Sequence, residues 1–277
     1  MHALFVILIQ ETYYMKILKI NYRQCLYKVV PLIKLIMEKL LEMSTFNLWL
    51  LLMLMLTMRY VLVAGVPYLW LYIIGKNRYR ASKIQNAYPS RKQVLEEIKY
   101  SLSTFCIYSS GIWFFLNWLK NGFTKNYTDI QEFGIPYFIL SVFLMIVMHD
   151  MYSYWIHRLM HHKLIFKYTH LLHHKFHNPS PWSAFAFHPL EAILTMGIIP
   201  IIIFTIPWHN LALVIFITIM IFYDTYVHWG FNIKTFKFLK WQNTPLEHDL
   251  HHRNAKYNFG LYFTIWDRLM GTFLKKV

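Results

Sequence analysis

The sequence predicts an all-α integral membrane protein with about four to five transmembrane or hairpin helices and a cytoplasmic, histidine-rich helical cap. Three observations lead to this fold class. Of the 277 residues, 57% are hydrophobic and the mean hydropathy is +0.33, which exceeds the usage of soluble domains. Long apolar runs recur along the chain. All fifteen histidines except His2 lie between His149 and His252.

Five apolar runs define the elements in order. The first three are long enough to span a hydrocarbon core as helices. The last two lie at the lower edge of spanning length, and a turn at 207–210 joins them, which predicts a helical hairpin whose two ends share one side of the membrane. The runs cover 48–74, 101–119, 135–156, 191–206 and 210–227.

The charged residues between the runs predict the orientation. The segment 75–100 carries seven lysines and arginines against Glu96 and Glu97, whereas 120–134 carries two charges of each sign. Because short cytoplasmic loops are enriched in Lys and Arg, we expect the first loop in the cytoplasm and the second outside. Counting onward puts every histidine-rich segment on the cytoplasmic face. The expected location is the endoplasmic reticulum if the source is eukaryotic, or the inner membrane if it is bacterial.

The N-terminal part fits this scheme less well. Residues 1–47 contain six lysines and arginines, yet they would lie outside if 48–74 crosses the membrane once. We expect 1–47 to be a dispensable extension, or one that precedes a later start codon. Arg59 lies in the middle of the first run, near Gly65 and Pro67. This position leaves open a bent hairpin over 48–74.

Charge and cysteine usage exclude two kinds of site. The net charge is +15, but the lysines and arginines lie between apolar runs, which indicates contact with lipid head groups and argues against nucleic-acid binding. The two cysteines, Cys25 and Cys106, are far apart and form no C-x-x-C motif. Neither a disulfide framework nor a thiolate metal site is therefore expected, and histidine remains as the ligand.

The histidines recur at helical spacing. Residues three and four apart share a helix face, so each cluster can direct several imidazoles at one place. Imidazole suits zinc, copper, iron and nickel, and a site so poor in carboxylates excludes calcium and magnesium. One such motif could be a set of hydrogen-bonded core histidines, but the repetition favours a metal site. Nine ligands exceed the needs of one ion and suit two metals with four or five each. The nine are His157, His161, His170, His173, His174, His228, His248, His251 and His252.

Several residues near the nine have weaker assignments. A carboxylate that accepts the outer N–H of a ligating imidazole fixes its orientation, and Asp150 and Asp224 are the leading candidates for this role, although each could equally be an ordinary hydrogen-bonded acid. His188 either lines the site or begins a helix with Pro189. His149, His162, His177 and His209 fall outside the pattern, and His209 is expected across the membrane from the site. The candidate carboxylates are Asp150, Asp224, Glu191 and Asp249.

Five segments together resemble the fatty acid hydroxylase/sterol desaturase superfamily over about 137–274. They are 154–161 (YWIHRLMH), 170–174 (HLLHH), 188–191 (HPLE), 248–252 (HDLHH) and 266–272 (WDRLMGT). The resemblance implies a membrane non-haem di-iron enzyme that uses O2 and two electrons to hydroxylate or desaturate a lipid, with the nine histidines as iron ligands. Some members supply a further histidine near the hairpin exit, where this chain has Asp224. In this chain the tenth coordination position would then be filled by water, Asp224 or His188.

The resemblance also implies partners and a division of the chain. The substrate would be a sterol-like or fatty acyl lipid that enters from the bilayer, with the closing motif favouring the sterol-oxidising branch and hydroxylation ahead of desaturation. Electrons would come from a separate cytochrome b5-like or ferredoxin-like protein. Zinc can replace iron on overexpression, because affinity rises along the divalent series past iron. Residues 48–134 would hold transmembrane helices and the basic loop, and 135–277 the catalytic domain.

Two other classes remain as alternatives. A histidine-rich membrane metal transporter or sensor would use its histidines as an ion path, and it predicts ligands spread through the depth of the bilayer. A bis-histidine haem protein needs only a few histidines on facing helices. It would not explain the repeated H-x-x-H-H.

Overall fold

The computed structural model describes Leu35, Lys39, Leu40 and residues 42–275. The expectation for residues 1–47 therefore lies almost wholly outside the described residues. Helices dominate the described part, which confirms the predicted all-α membrane class. Among the described residues, three helices are long and apolar enough to cross a membrane: Thr45–Ile74, Gly134–Met160 and Asn210–Val227.

The first of these helices is continuous. Helix α1 covers Thr45–Tyr68, and its first turn is capped by the Ser44 hydroxyl, which accepts a hydrogen bond from a backbone N–H. It runs directly into a π-helical turn, Leu69–Ile74, just after Pro67 removes one backbone donor. A bent hairpin over 48–74 is therefore wrong.

Helix α2 covers Arg91–Lys120 and is longer and more polar than the predicted run 101–119. Its buried face carries Glu97, Ser101, Thr104 and Ser109. Helix α2 has 30 residues and is long enough to cross a membrane, but these polar residues make it less apolar than the three candidate spans. The polar face packs inside the protein, against α1, the 3-10 segment Pro181–Phe185 and the helix Pro189–Met196.

The structure differs from the predicted helical hairpin in the first arm of the hairpin, 191–206. Helix α3 covers Gly134–Met160, and the arm beside it is two short helices, α6 (Pro189–Met196) and α7 (Ile198–Thr205). The chain breaks at Gly197, where an added Cβ would clash with the Tyr152 hydroxyl of α3. Helix α8, Asn210–Val227, is the second arm.

The two ends of the bundle are built differently. At one end, strand β1 (Asn126–Tyr127) pairs in parallel with strand β2 (Trp208–His209). At the other end lie the short helices α4 (Phe166–Thr169) and α5 (Leu171–His174), followed along the chain by α9 (Pro245–Asn254) and α10 (Ile265–Leu269). We call this second end the histidine end and the first the opposite end.

The basic loop also lies at the histidine end. Gln85 Nε2 donates to Asp249 Oδ1 of α9 at 2.5 Å, and Lys83 Nζ donates to Asn178 Oδ1 at 3.2 Å. The backbone N–H of Ile84 donates to the carbonyl of Gly230 at 3.1 Å. The most basic loop and the histidine-rich segments therefore occupy the same side of the bundle.

Candidate metal centre

The nine histidines come from four places at the histidine end. The last turn of α3 carries His157, and His161 is the C-cap residue of α3. His228 is the C-cap residue of α8. Helix α5 and its N-cap supply the first H-x-x-H-H motif, and α9 supplies the second. A capping box between Thr244 and Glu247 starts α9, with Pro245 at the first helical position.

These histidines form two groups, and within each group the nitrogen atoms lie within 4.8 Å of one another. The H-x-x-H-H motifs divide between the groups: in each motif the two histidines four apart stay together on one helix face, and the middle histidine joins the other group. The first group is His157, His161, His170, His174 and His251. The second is His173, His228, His248 and His252.

Backbone carbonyls orient three of the rings. The Nδ1 atoms of His157, His251 and His228 lie 2.9, 2.7 and 2.6 Å from the carbonyl oxygens of Phe259, Tyr257 and Asp224. A carbonyl only accepts hydrogen bonds, so each Nδ1 must carry the proton. In a neutral ring the Nε2 atom then presents a bare lone pair.

The Nε2 atoms of each group point at one another. In the first group, Nε2 of His157 lies 2.9 Å from that of His170, and Nε2 of His174 lies 3.0 Å from that of His251. In the second group, the Nε2 atom of His228 lies 3.2 Å from that of His173 and 3.0 Å from that of His248.

Facing lone pairs at this separation repel, so a cation between them would remove the conflict. Two nitrogens bound to one ion at about 2.0–2.1 Å are roughly 3 Å apart. The donor set therefore fits two transition-metal ions.

The histidines are held in the ligand form. Burial and the neighbouring imidazoles lower the pKa of His174 to about 3, and burial lowers the pKa of His228 to about 4. The same two causes lower the pKa values of most other members, so the rings are neutral at neutral pH. These members are His161, His170, His173, His248, His251 and His252.

Of the four candidate carboxylates, Glu191 reaches a clustered imidazole. Its Oε1 atom lies 2.5 Å from Nδ1 of His170, and both side chains are buried. The carboxylates of Asp150 and Asp249 have other partners, namely the backbone N–H groups of Tyr262 and Phe263, and Gln85 with Arg253. The backbone carbonyl of Asp224 accepts a hydrogen bond from Nδ1 of His228, while the Asp224 side chain lines a cavity.

The remaining sequence candidates lie away from the two groups. His188 caps α6 by accepting the N–H of Leu190, which is the helix-start interpretation. His149 bonds the Tyr262 hydroxyl at 2.9 Å, and His162 is exposed. His209 lies at the opposite end, in strand β2.

The closing motif has a role that sequence reasoning missed. Asp267 accepts the backbone N–H groups of Phe259 and Gly260 at 2.9 and 2.8 Å, and it also accepts the Thr272 hydroxyl. This loop supplies the carbonyl that orients His157. A Cβ at Gly260 would clash with the backbone at 263, which explains the glycine.

A cavity of about 360 Å³ opens beside both histidine groups. Mostly apolar side chains from α1, α2, α3, α6, α7 and α8 line it, and it extends from His157 and His173 to Trp208 and Asn210. Helix α8 rises about 25 Å over that distance. The arrangement defines a helical membrane protein whose paired histidine clusters, compatible with metal binding, face an apolar chamber.

Comparison with known proteins agrees with this class. The fatty acid hydroxylase family model matches residues 142–272. The chain is 33% identical to Delta(7)-sterol 5(6)-desaturase ERG3B of Gibberella zeae over 66% of its length and 56% of the relative's. Lathosterol oxidase from Rattus norvegicus is 33% identical and that from Homo sapiens 31% identical, each over 66% of this chain and 62% of the relative. No solved structure matches.

Residues 142–272 therefore form a fatty acid hydroxylase domain, in agreement with the superfamily that the sequence motifs resemble. The chain spans 56% to 62% of the length of these three relatives. The matched domain contains all nine clustered histidines.

Proposed function

We propose that this protein is a membrane-bound oxidoreductase that holds two iron ions and uses O2 and two electrons to hydroxylate or desaturate a lipid. The observation that carries the proposal is the convergence of nine Nε2 atoms, in two groups, beside an apolar cavity in the bundle. The names of the relatives, sterol desaturases and lathosterol oxidases, support lipid oxidation.

In this proposal the five-histidine group holds one iron and the four-histidine group the other. When bound, the iron pair supplies the activation of O2. Glu191 orients His170 through their 2.5 Å contact, and the loop at 257–260 orients His157 and His251. The Asp224 carboxylate, in the cavity lining, is the candidate for the tenth ligand.

The two outcomes consume the same reactants. Hydroxylation inserts one oxygen atom of O2 into a C–H bond, and two electrons and two protons convert the other atom to water. Desaturation removes two hydrogen atoms from the lipid, and the same two external electrons and two protons complete the reduction of O2 to two waters. The apolar cavity wall keeps bulk water from the reacting carbon.

The location of the site suggests how the reactants arrive. A lipid would enter the cavity sideways from the bilayer, and electrons would come from a separate cytochrome b5-like or ferredoxin-like protein. We propose that the histidine end faces the cytoplasm, because it carries the most basic loop, 75–100. Reporters placed after Val277 and near Asn126 would then show opposite accessibility.

Metal analysis and labelled oxygen test the proposal. After anaerobic reconstitution the full chain should retain two iron equivalents, and cells that contain the loaded protein with a competent donor should accumulate an oxidised lipid in an O2-dependent manner. Under labelled O2 a hydroxylated product carries the label, whereas a desaturated product carries none. One equivalent of metal, or an unchanged lipid profile, would contradict the proposal.

A further inference from the structure

The cavity contains a charge that the metal centre does not use. Arg59 lies near the middle of Thr45–Ile74, about 20 Å along the helix from either end, and its side chain lines the cavity. It is the single lysine or arginine among the described residues of the cavity lining. An arginine at this depth usually faces a polar partner or a pathway for a ligand.

Arg59 has no such partner among the residues that the structure describes. None of the side chains or carbonyls described here forms a hydrogen bond, an ion pair or a cation–π contact with its guanidinium. The surrounding layer is apolar and aromatic, since Leu56, Tyr60, Phe105 and Ile221 pack together beside it. Because arginine stays protonated, it cannot relieve this desolvation by losing its proton.

The same layer adjoins the metal centre. Phe187 packs against it, and the Phe187 ring lies 5.4 Å from that of His173 in the four-histidine group. Arg59, Phe187 and His173 all line the same cavity, so a group bound at Arg59 would lie in the chamber that adjoins the four-histidine group. Arg59 also lies outside 142–272, the region that the fatty acid hydroxylase family model matches.

We propose that Arg59 binds a carboxylate on the lipid substrate, so that the cavity selects a single-charged anionic amphiphile over its neutral counterpart. A carboxylate matches the planar fork of the guanidinium with two parallel hydrogen bonds. A phosphate monoester would bring a second negative charge, for which the cavity lining holds no further lysine or arginine. The inference rests on the proposed function, since it takes the cavity as the lipid site, and it concerns the head group only.

Asp224 is the competing anion, because its carboxylate lines the same cavity. It forms no ion pair with Arg59 in this structure. It lies one helical turn before His228, on the side of the metal centre, where two metal ions would balance its charge. We therefore assign Asp224 to the metals and Arg59 to the lipid.

The test measures equilibrium binding of radiolabelled hexadecanoic acid and hexadecanol to the full chain in a neutral detergent at mildly alkaline pH. Zinc-loaded protein is used so that no turnover occurs. Wild type should bind the acid about tenfold or more tightly than the alcohol. Arg59→Gln should lose this preference while it keeps the affinity for the alcohol, and Arg59→Lys should retain part of it, because an ammonium lacks the fork.

Two variants serve as controls. Arg80→Gln removes an exposed cation from the basic loop and should behave as wild type. Asp224→Asn should keep the preference for the acid. If it instead abolishes the preference and lowers thermal stability as much as Arg59→Gln does, Arg59 serves Asp224 and the inference fails.

Other results would also overturn the inference. They are equal binding of acid and alcohol by wild type, unchanged preference in Arg59→Gln, or displacement of the acid by a neutral sterol equally well from wild type and Arg59→Gln. The wild-type comparison stands even if Arg59→Gln does not fold. If the protein oxidises lipid with O2 but does not prefer the acid, the proposed function stands and this inference fails. If it prefers the acid but oxidises no lipid, the proposed function fails and the role of Arg59 in binding stands.

Discussion

His209 at the opposite end and His251 at the histidine end are both buried, at 1% and 0% exposure, yet their surroundings differ. The two ring nitrogens of His209 both meet backbone, with Nε2 3.1 Å from the Thr128 carbonyl and Nδ1 accepting the Leu211 N–H. In His251 a carbonyl satisfies Nδ1, and Nε2 faces the Nε2 of His174. Burial therefore does not distinguish a proposed ligand from a structural histidine; the surroundings of the second nitrogen do.

The largest expected effect is the loss of a clustered imidazole. His251→Ala should lower lipid oxidation by roughly 100-fold or more and leave about one metal equivalent, since the second group keeps all its ligands. Activity and metal content are measured on the same preparation. The exposed His162→Ala should match wild type in both. Full activity in His251→Ala would contradict a metal-binding role for the Nε2 atom of His251.

Glu191→Gln should have the next largest effect. The substitution keeps the shape of the side chain but replaces the carboxyl group that orients His170 by an amide, and the loss of such outer partners changes metal affinity or activity by about 10- to 100-fold. Metal affinity is measured by chelator competition. Glu96→Gln, an exposed acid on α2, is the matched control and should bind metal normally. Equal affinities in the two variants would show that Glu191 does not support the ligand.

Asp267→Asn tests the backbone loop that orients the first group. It weakens the charge-assisted bonds to the N–H groups of Phe259 and Gly260, and we expect about 1–3 kcal/mol lower stability with a smaller loss of activity. Thermal unfolding and turnover are compared in detergent. A variant with wild-type stability would mean that the closing motif does not hold this loop.

His209→Ala should have the smallest effect. Turnover and metal content should stay near wild type, and the loss of the capping bond to Leu211 should lower stability by about 1 kcal/mol. The same assays as for His251→Ala apply. If His209 proves as necessary for activity as His251, the distinction drawn from the second nitrogen is wrong.

Part of the site was predictable because helical spacing is local. Eight of the nine histidines recur at intervals of three and four, His228 stands alone along the chain, and the structure gathers all nine of them. Sequence reasoning favoured Asp150 and Asp224 among the four carboxylates, whereas the structure shows that it is Glu191 that contacts a clustered imidazole, His170. The orienting carbonyls of Tyr257 and Phe259 leave no side-chain signal, so no pattern could have indicated them.

The sequence by itself determined the fold class, the apolar runs and the set of candidate ligands, because hydropathy and periodicity depend on neighbours along the chain. Only the tertiary structure decided that 48–74 is one helix, that Gly197 breaks the hairpin arm, and that the nine histidines divide five and four. It also placed Arg59 in the cavity, without a polar partner among the described residues. These features arise from contacts between distant segments, whose geometry depends on how helices pack and not on the residues of any one helix.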